Sequence, residues 1–283
     1  MRLLLTGADG FTGLHITQAA TKAGYEVIPL VGNLEDTNAV RSQVHDAQPT
    51  HVIHLAAISH VMHAEEGAFY SVNTIGSMTL LGALASLPHL PKKVILASSA
   101  NVYGHCPHSP IEESAPPAPV NHYAMSKLAM ELLARNYFTQ LPIVITRPFN
   151  YTGVGHHPSF VIPKIINHLQ TKASSIALGN IDVFREYNDV RDVCNCYLGL
   201  LAAGQPGQTY NIASGRAVSL REVISRLEAM TQTSISIELN PQFVRSNEIQ
   251  RLAGNGRYLE QCIGDVHWRP LEETLQWMLD ATQ

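Results

Sequence analysis

The sequence is short of charge, of paired cysteines and of long apolar runs, and each shortage removes a class of protein. Charged side chains make up 15% of its 283 residues, and 19 Lys and Arg against 23 Asp and Glu leave a formal net charge of −4. A slightly acidic chain, with a pI near 6.4, offers no basic footprint for nucleic acid or an anionic membrane. No apolar run reaches the roughly 18 residues of a membrane span. The opening MRLLLTGADG holds only Leu3-Leu4-Leu5 before it meets glycines, which is not a signal-peptide pattern. A cytoplasmic protein is expected. The four cysteines, Cys106, Cys194, Cys196 and Cys262, contain no CxxC, and Cys194 and Cys196 diverge on an expected helix. Reduced thiols follow. The 14 histidines are scattered, without HExxH, and the pair His156-His157 has no third ligand near it in sequence. No metal site is expected.

What is present is a 45% apolar composition, enough for one large α/β domain and a smaller lobe. The first half alternates strands (2–6, 25–31, 51–56, 94–98, 143–147) with helices (14–23, 39–47, 70–87, 123–138). Continuous apolar strands alternating with helices predict a doubly wound parallel sheet of the Rossmann type. After Arg147 the pattern loosens through Pro148, Gly153, Gly155, Pro158 and Pro163. A helix over 190–203 and a strand over 209–212 return to the sheet. The reading is therefore a dinucleotide-binding domain over 1–150, rejoined by about 188–212. Residues 151–187 and 213–283 form a smaller α/β substrate lobe, with an amphipathic helix over 220–230, a strand over 235–239 and a terminal helix over 271–279.

Three stretches carry chemistry. Thr6-Gly7-Ala8-Asp9-Gly10-Phe11-Thr12-Gly13 follows the first strand and opens the first helix with GxxGxxG spacing. Glycines let the backbone approach a pyrophosphate, and a helix N-terminus offers it free N–H groups. The second strand ends Pro29-Leu30-Val31-Gly32-Asn33, without the acid that would hold a ribose 2′-OH or an arginine for a 2′-phosphate. That favours NADP(H) over NAD(H), with Asn33 and Leu34 placed for the adenine edge. The second stretch is Tyr123-Ala-Met-Ser-Lys127, with phenol and ammonium on one helix face. A neighbouring ammonium lowers a phenol's pKa and readies it for proton transfer. The third is Ser98-Ser99-Ala100-Asn101-Val102-Tyr103-Gly104, at the end of the fourth strand.

Taken together, TGADGFTG, HLAA (54–57), Asn73-Thr-Ile-Gly76, SSANVYG, YAMSK, RPFN (147–150), the Arg185–Val193 segment and YNIASG (210–215) resemble the extended short-chain dehydrogenase/reductases, which act on nucleotide-linked sugars. RPFNYTGVG, SFVIP and GNIDVFREYNDVRDV are most similar to the subfamily of GDP-4-dehydro-6-deoxy-D-mannose reductases, which make GDP-D-rhamnose. The resemblance implies Ser99, Tyr123 and Lys127 as the catalytic set. Gly7, Gly10, Phe11 and Gly13 would form the cofactor loop, with Leu55, Ala56 and Ala57 as its neighbouring wall. Asn101, Tyr103 and Asn150 would line the sugar site, Arg185 and Arg245 would hold the substrate diphosphate, and Glu248 its nucleoside ribose. It also implies a homodimer through a four-helix bundle built from 70–87 and 123–138. Dehydratases of the superfamily need acids where this chain has Ala100 and Asn101, because removing water takes both a base and an acid. A reductase of a nucleotide-diphosphate 4-keto-6-deoxy sugar is thus the leading expectation, GDP-linked first and dTDP-linked second. A redox-neutral 4-epimerase and a non-catalytic dinucleotide sensor are the rivals.

Overall fold

A computed structural model describes residues 1–59, 65–244 and 247–281. In chain order its elements are β1 (Arg2–Thr6), α1 (Phe11–Lys22), β2 (Glu26–Leu30), α2 (Thr37–Ala47), β3 (His51–His54) and α3 (Glu66–Tyr70). A π-helical segment, Ser71–Gly76, joins α3 to α4 (Ser77–Ala85). Next come β4 (Lys93–Ala97), a 3-10 turn (Ala100–Tyr103), α5 (His122–Ala134), β5 (Ile143–Pro148), β6 (Tyr151–Thr152), α6 (Val161–Gln170), β7 (Ser175–Leu178), β8 (Phe184–Glu186) and β9 (Asn188–Asp189). The chain ends with α7 (Val190–Ala203), β10 (Thr209–Ile212), β11 (Ala217–Ser219), α8 (Leu220–Thr231), β12 (Ser236–Leu239), β13 (Arg251–Leu252), α9 (Arg257–Ile263) and α10 (Leu271–Ala281).

Six parallel strands form the central sheet in the order β10-β5-β4-β3-β1-β2. Strand alternation sends Leu3 and Leu5 into one apolar layer, with α1, α7 and α9. Leu4 goes into the opposite layer, with α2, α4 and α5. The chain goes from β1 outward to β2 and then crosses to β3 on the other side. The strand order therefore reverses between β1 and β3, where such sheets open a crevice at their carboxyl ends. A third core, from α6, α8, α10 and the β12-β7 pair, fills the smaller unit.

Three features differ from the sequence expectation. Pro163 does not break a helix: it sits in the first turn of α6, where the missing N–H is unpaired anyway. Residues 257–268 do not belong with the small unit, because Leu259 and Trp268 are buried in the sheet-side core beside α7. Finally, the continuous helix Glu66–Ala85 does meet the length and hydropathy of a membrane span, but half of it is buried inside the fold, the pattern of a core helix.

Candidate active site

A cavity of about 1010 Å³ opens at the switch point and extends between the sheet and the small unit. Its floor is the glycine loop. Gly7 has φ +67, and a Cβ there would come within 2.9 Å of the Ala56 nitrogen; a Cβ on Gly13 would collide with the Gly7 carbonyl. The loop thus turns tightly against the end of β3 because its side chains are missing. The α1 N-terminus has no side-chain cap, so its amides stay available to an anion. A cradle that Cβ atoms would fill, ending at an uncapped helix, fits a dinucleotide pyrophosphate.

Beneath this floor runs a buried polar chain whose proton positions can be assigned. Ser77 Oγ donates its one hydrogen to the Asn73 carbonyl at 2.6 Å, so His54 Nε2, 2.7 Å from the same oxygen, must donate to it. His54 Nδ1 then accepts from Thr6 Oγ1 at 2.7 Å, and Thr6 Oγ1 in turn accepts from the Ala56 amide at 3.0 Å. Burial drives His54 down to about 3, so the imidazole is neutral. The Asn73 side chain, from the π-helical segment, clamps the Ile58 backbone and donates to Ser126 Oγ, which donates to the Tyr123 carbonyl. The network ties the loop after β1, the end of β3 and the start of α5 to one another.

The Asn121 side chain caps α5 through the Ala124 amide, which places Tyr123 in the first turn. Tyr123, Lys127 and Ser99 are 8%, 3% and 5% exposed, and all three line the cavity. Their electrostatics differ from the expectation. Burial pushes the Tyr123 phenol up, opposed by a hydrogen bond with Ser99. The Lys127 ammonium hydrogen-bonds the Ala97 carbonyl at 2.7 Å, and burial pulls it down to about 8 against the pull of Glu131 one turn on. Glu131 itself forms a buried bidentate pair with Arg147, at 2.9 and 2.6 Å. Arg147 lies 4.7 Å over the Tyr103 ring, and the Tyr103 hydroxyl donates to Asn211 at 2.7 Å. Tyr103 therefore sits in the core, at 0% exposure, and not in the cavity wall.

Of the other residues singled out from sequence, Gly7, Gly10, Phe11, Gly13, Leu55, Ala56 and Ala57 line the floor. Asn101 and Asn150 line the same cavity from the chain after β4 and β5, and Arg185 and Glu248 line it from the small-unit side, Arg185 on β8 and Glu248 shortly before β13. Asn33 and Leu34 stand apart from it: Asn33 Oδ1 accepts from the Glu35 amide, and Leu34 is buried in the core beneath Gly76. Arg245 lies outside the described residues. Sequence reasoning missed an aromatic wall. Phe11 stacks on His156 at 4.4 Å and on Tyr151 at 6.0 Å, and His156 meets Phe160 at 4.2 Å. Tyr151 also reaches Thr12 of the glycine loop, 2.8 Å between oxygens. The signal was present as Tyr151 beside Asn150 and as rings within 156–160. It was obscured by the glycines and prolines around it. Among the described residues no group of histidines, cysteines and carboxylates is placed to hold a metal.

Comparison with known proteins places this geometry. GDP-6-deoxy-D-talose 4-dehydrogenase from Aggregatibacter actinomycetemcomitans is 31% identical over 270 residues, 94% of this chain and 92% of that protein. GDP-6-deoxy-D-mannose reductase from Pseudomonas aeruginosa is 32% identical over 295 residues, 99% of this chain and 95% of that protein. The solved structure of RMD from Pseudomonas aeruginosa complexed with NADPH superposes with a TM-score of 0.91 at 31% identity, covering 99% of this chain and 98% of that one. The NAD dependent epimerase/dehydratase family matches residues 3–213. The chain belongs to that family, the extended short-chain dehydrogenase/reductases.

Proposed function

We propose that the protein is an NAD(P)H-dependent reductase of a nucleotide-diphosphate-linked 4-keto-6-deoxyhexose, GDP-4-dehydro-6-deoxy-D-mannose first, giving GDP-D-rhamnose. The observation that carries this reading is the hydrogen bond of Ser99 with Tyr123 in a cavity that Lys127 also lines, with buried Ala100 and the amide of Asn101 where a dehydratase needs acids. The kinship with a GDP-sugar reductase and a GDP-sugar dehydrogenase supports the substrate class.

Gly7, Gly10 and Gly13 would hold the pyrophosphate of a bound NAD(P)H, with Phe11 and Leu55–Ala57 lining the same cavity, and the cofactor would supply the hydride. Ser99 hydrogen-bonds the ketone oxygen and aims the carbonyl, and Tyr123 delivers the proton that turns the developing alkoxide into a hydroxyl. A phenol held above its ordinary pKa is protonated at neutral pH, the state that a proton donor requires. Arg185 takes the substrate diphosphate with a planar fork of donors, and Glu248 accepts from the nucleoside ribose. NADP(H) is favoured because β2 ends at Leu30 and the turn after it, Val31-Gly32-Asn33-Leu34, carries no carboxylate to hold a ribose 2′-OH. The exposed Ile75 and Met78 on the helix through 71–85, with Met125 and Leu132 on α5, fit a homodimer through these helices, which light scattering would report.

The test is to mix the protein with NADPH or NADH and freshly made GDP- or dTDP-linked 4-keto sugars, follow the reduced cofactor's absorbance and identify products by NMR. Consumption with at least one such sugar is expected, and no consumption with any of them overturns the reading. Interconversion of two nucleotide sugars without added reductant would make the protein a 4-epimerase instead.

A further inference from the structure

Asn101 makes two contacts to Ser99 that the catalytic roles above do not use. Its backbone amide and its side-chain Nδ2 both donate to Ser99 Oγ, each at 3.2 Å. The first contact comes from the 3-10 turn Ala100–Tyr103, for which Ser99 is the N-cap. The second is a choice of side chain. A serine hydroxyl has two acceptor sites and one hydrogen. With both acceptor sites filled by Asn101, the hydrogen can only be given away, to the Tyr123 oxygen with which Ser99 pairs, or to a ketone oxygen held between the two. We propose that Asn101 is a positioning residue that fixes Ser99 as an obligate donor toward the reacting oxygen.

A carboxylate at this position would do the reverse. It only accepts, so it would draw the Ser99 hydrogen away from the site. The asparagine therefore does more than omit an acid: it supplies the N–H that a carboxylate lacks, in a side chain of the same shape. The titratable side chains around the turn are Tyr123 and Lys127 from α5, with Tyr103, Arg147 and Glu113 behind it.

This inference rests on the reductase reading for its kinetic test but has a second readout that needs no substrate. Losing one hydrogen bond of about 1 kcal/mol, Asn101→Ala should lower kcat roughly five-fold with KM little changed. In a Ser99→Ala background the same substitution should have no further effect. Asn101→Asp should lose more activity at neutral pH and regain it as the carboxyl takes up a proton and can donate again. Independently, the Tyr123 phenol, followed by NMR of 13Cζ-labelled tyrosine and assigned with Tyr123→Phe, should titrate higher in Asn101→Ala than in the parent. A kcat loss that persists without Ser99, or an unchanged Tyr123 titration, overturns the role of Asn101. A parent protein that reduces no keto sugar overturns the proposed function alone, and the phenol titration still judges Asn101.

Discussion

The two ends of the cavity are built in opposite ways. At the sheet end, Ser99, Tyr123 and Lys127 are almost fully buried, and the backbone beneath them is fastened by the chain from Thr6 through His54 and Ser77 to Asn73 and Ser126. At the small-unit end, Arg185 stands on the three-residue strand β8 and Glu248 on irregular chain, while Phe243 is 45% exposed. Proton transfer demands atoms fixed to a fraction of an ångström, and only buried, hydrogen-bonded side chains supply that. Gripping a long, charged ligand tolerates a looser site, because planar arginine forks and stacking surfaces adapt. The contrast predicts that substitutions at the first end act on turnover and folding, and those at the second on binding.

The largest effect tests this division directly. Tyr123→Phe removes the proton-donating hydroxyl, and with it the hydrogen bond to Ser99, while keeping the ring, so turnover should fall by roughly 10²–10⁴-fold. Cofactor affinity, measured by fluorescence titration, should be unchanged. Residual activity close to the parent's would remove Tyr123 from the chemistry. Next comes Glu131→Gln, one turn beyond Lys127. It leaves the Arg147 charge buried without its partner, which costs about 3–5 kcal/mol of stability. Denaturant unfolding should show that loss, whereas Glu272→Gln, whose pair with Arg226 is half-exposed, should lose less than about 1 kcal/mol.

His54 gives a pH test of the same buried end. As pH falls through about 6.5, the unfolded imidazole takes a proton while the folded one stays neutral down to about 3. The unfolded state binds more protons throughout that window, so stability falls as pH falls, by about 1.4 kcal/mol per pH unit from this group. In His54→Gln the slope of unfolding free energy against pH between 6 and 4 should flatten by about that amount. An unchanged slope would mean that His54 is not held neutral.

How much of this was legible in the sequence follows the same division. The parallel sheet, the glycine loop and the Tyr123–Lys127 pair could be read because period and spacing encode them locally: a continuous apolar strand, three glycines, two residues one turn apart. Strand β10 and helix α7 were legible over their whole length for that reason. The small unit was legible only in part: helices α8 and α10 and strand β12 carry a local signal and match the sequence reading to within one or two residues, but the rest does not. Its strands are two to four residues long and pair with partners distant in sequence, as β6 does with β9 and β13 with β8. Helix α6 was hidden by Pro163 in its first turn. Within the site, the sequence pointed to a lysine that lowers the tyrosine's pKa. Burial, which no spacing reveals, sets the opposite direction. The Asn101 contacts depend on which way an amide faces, which is likewise a property of the folded turn.

The smallest effect probes the far end. Arg185 lines the cavity with Tyr187 and Glu248, and the Tyr187 phenol, pushed up by burial, feels the charges of both. If it grips the diphosphate equally in ground state and transition state, Arg185→Ala removes uniform binding. KM for the nucleotide sugar should rise about ten-fold, a loss of about 1.4 kcal/mol, with kcat nearly constant. Product inhibition by the free nucleoside diphosphate should weaken by the same factor, because that ligand keeps the phosphates and lacks the sugar. A fall in kcat instead would mean that the grip of Arg185 tightens as the ketone reacts. The loose end of the cavity would then take part in the chemistry of the tight one, and the division between them would fail at this residue.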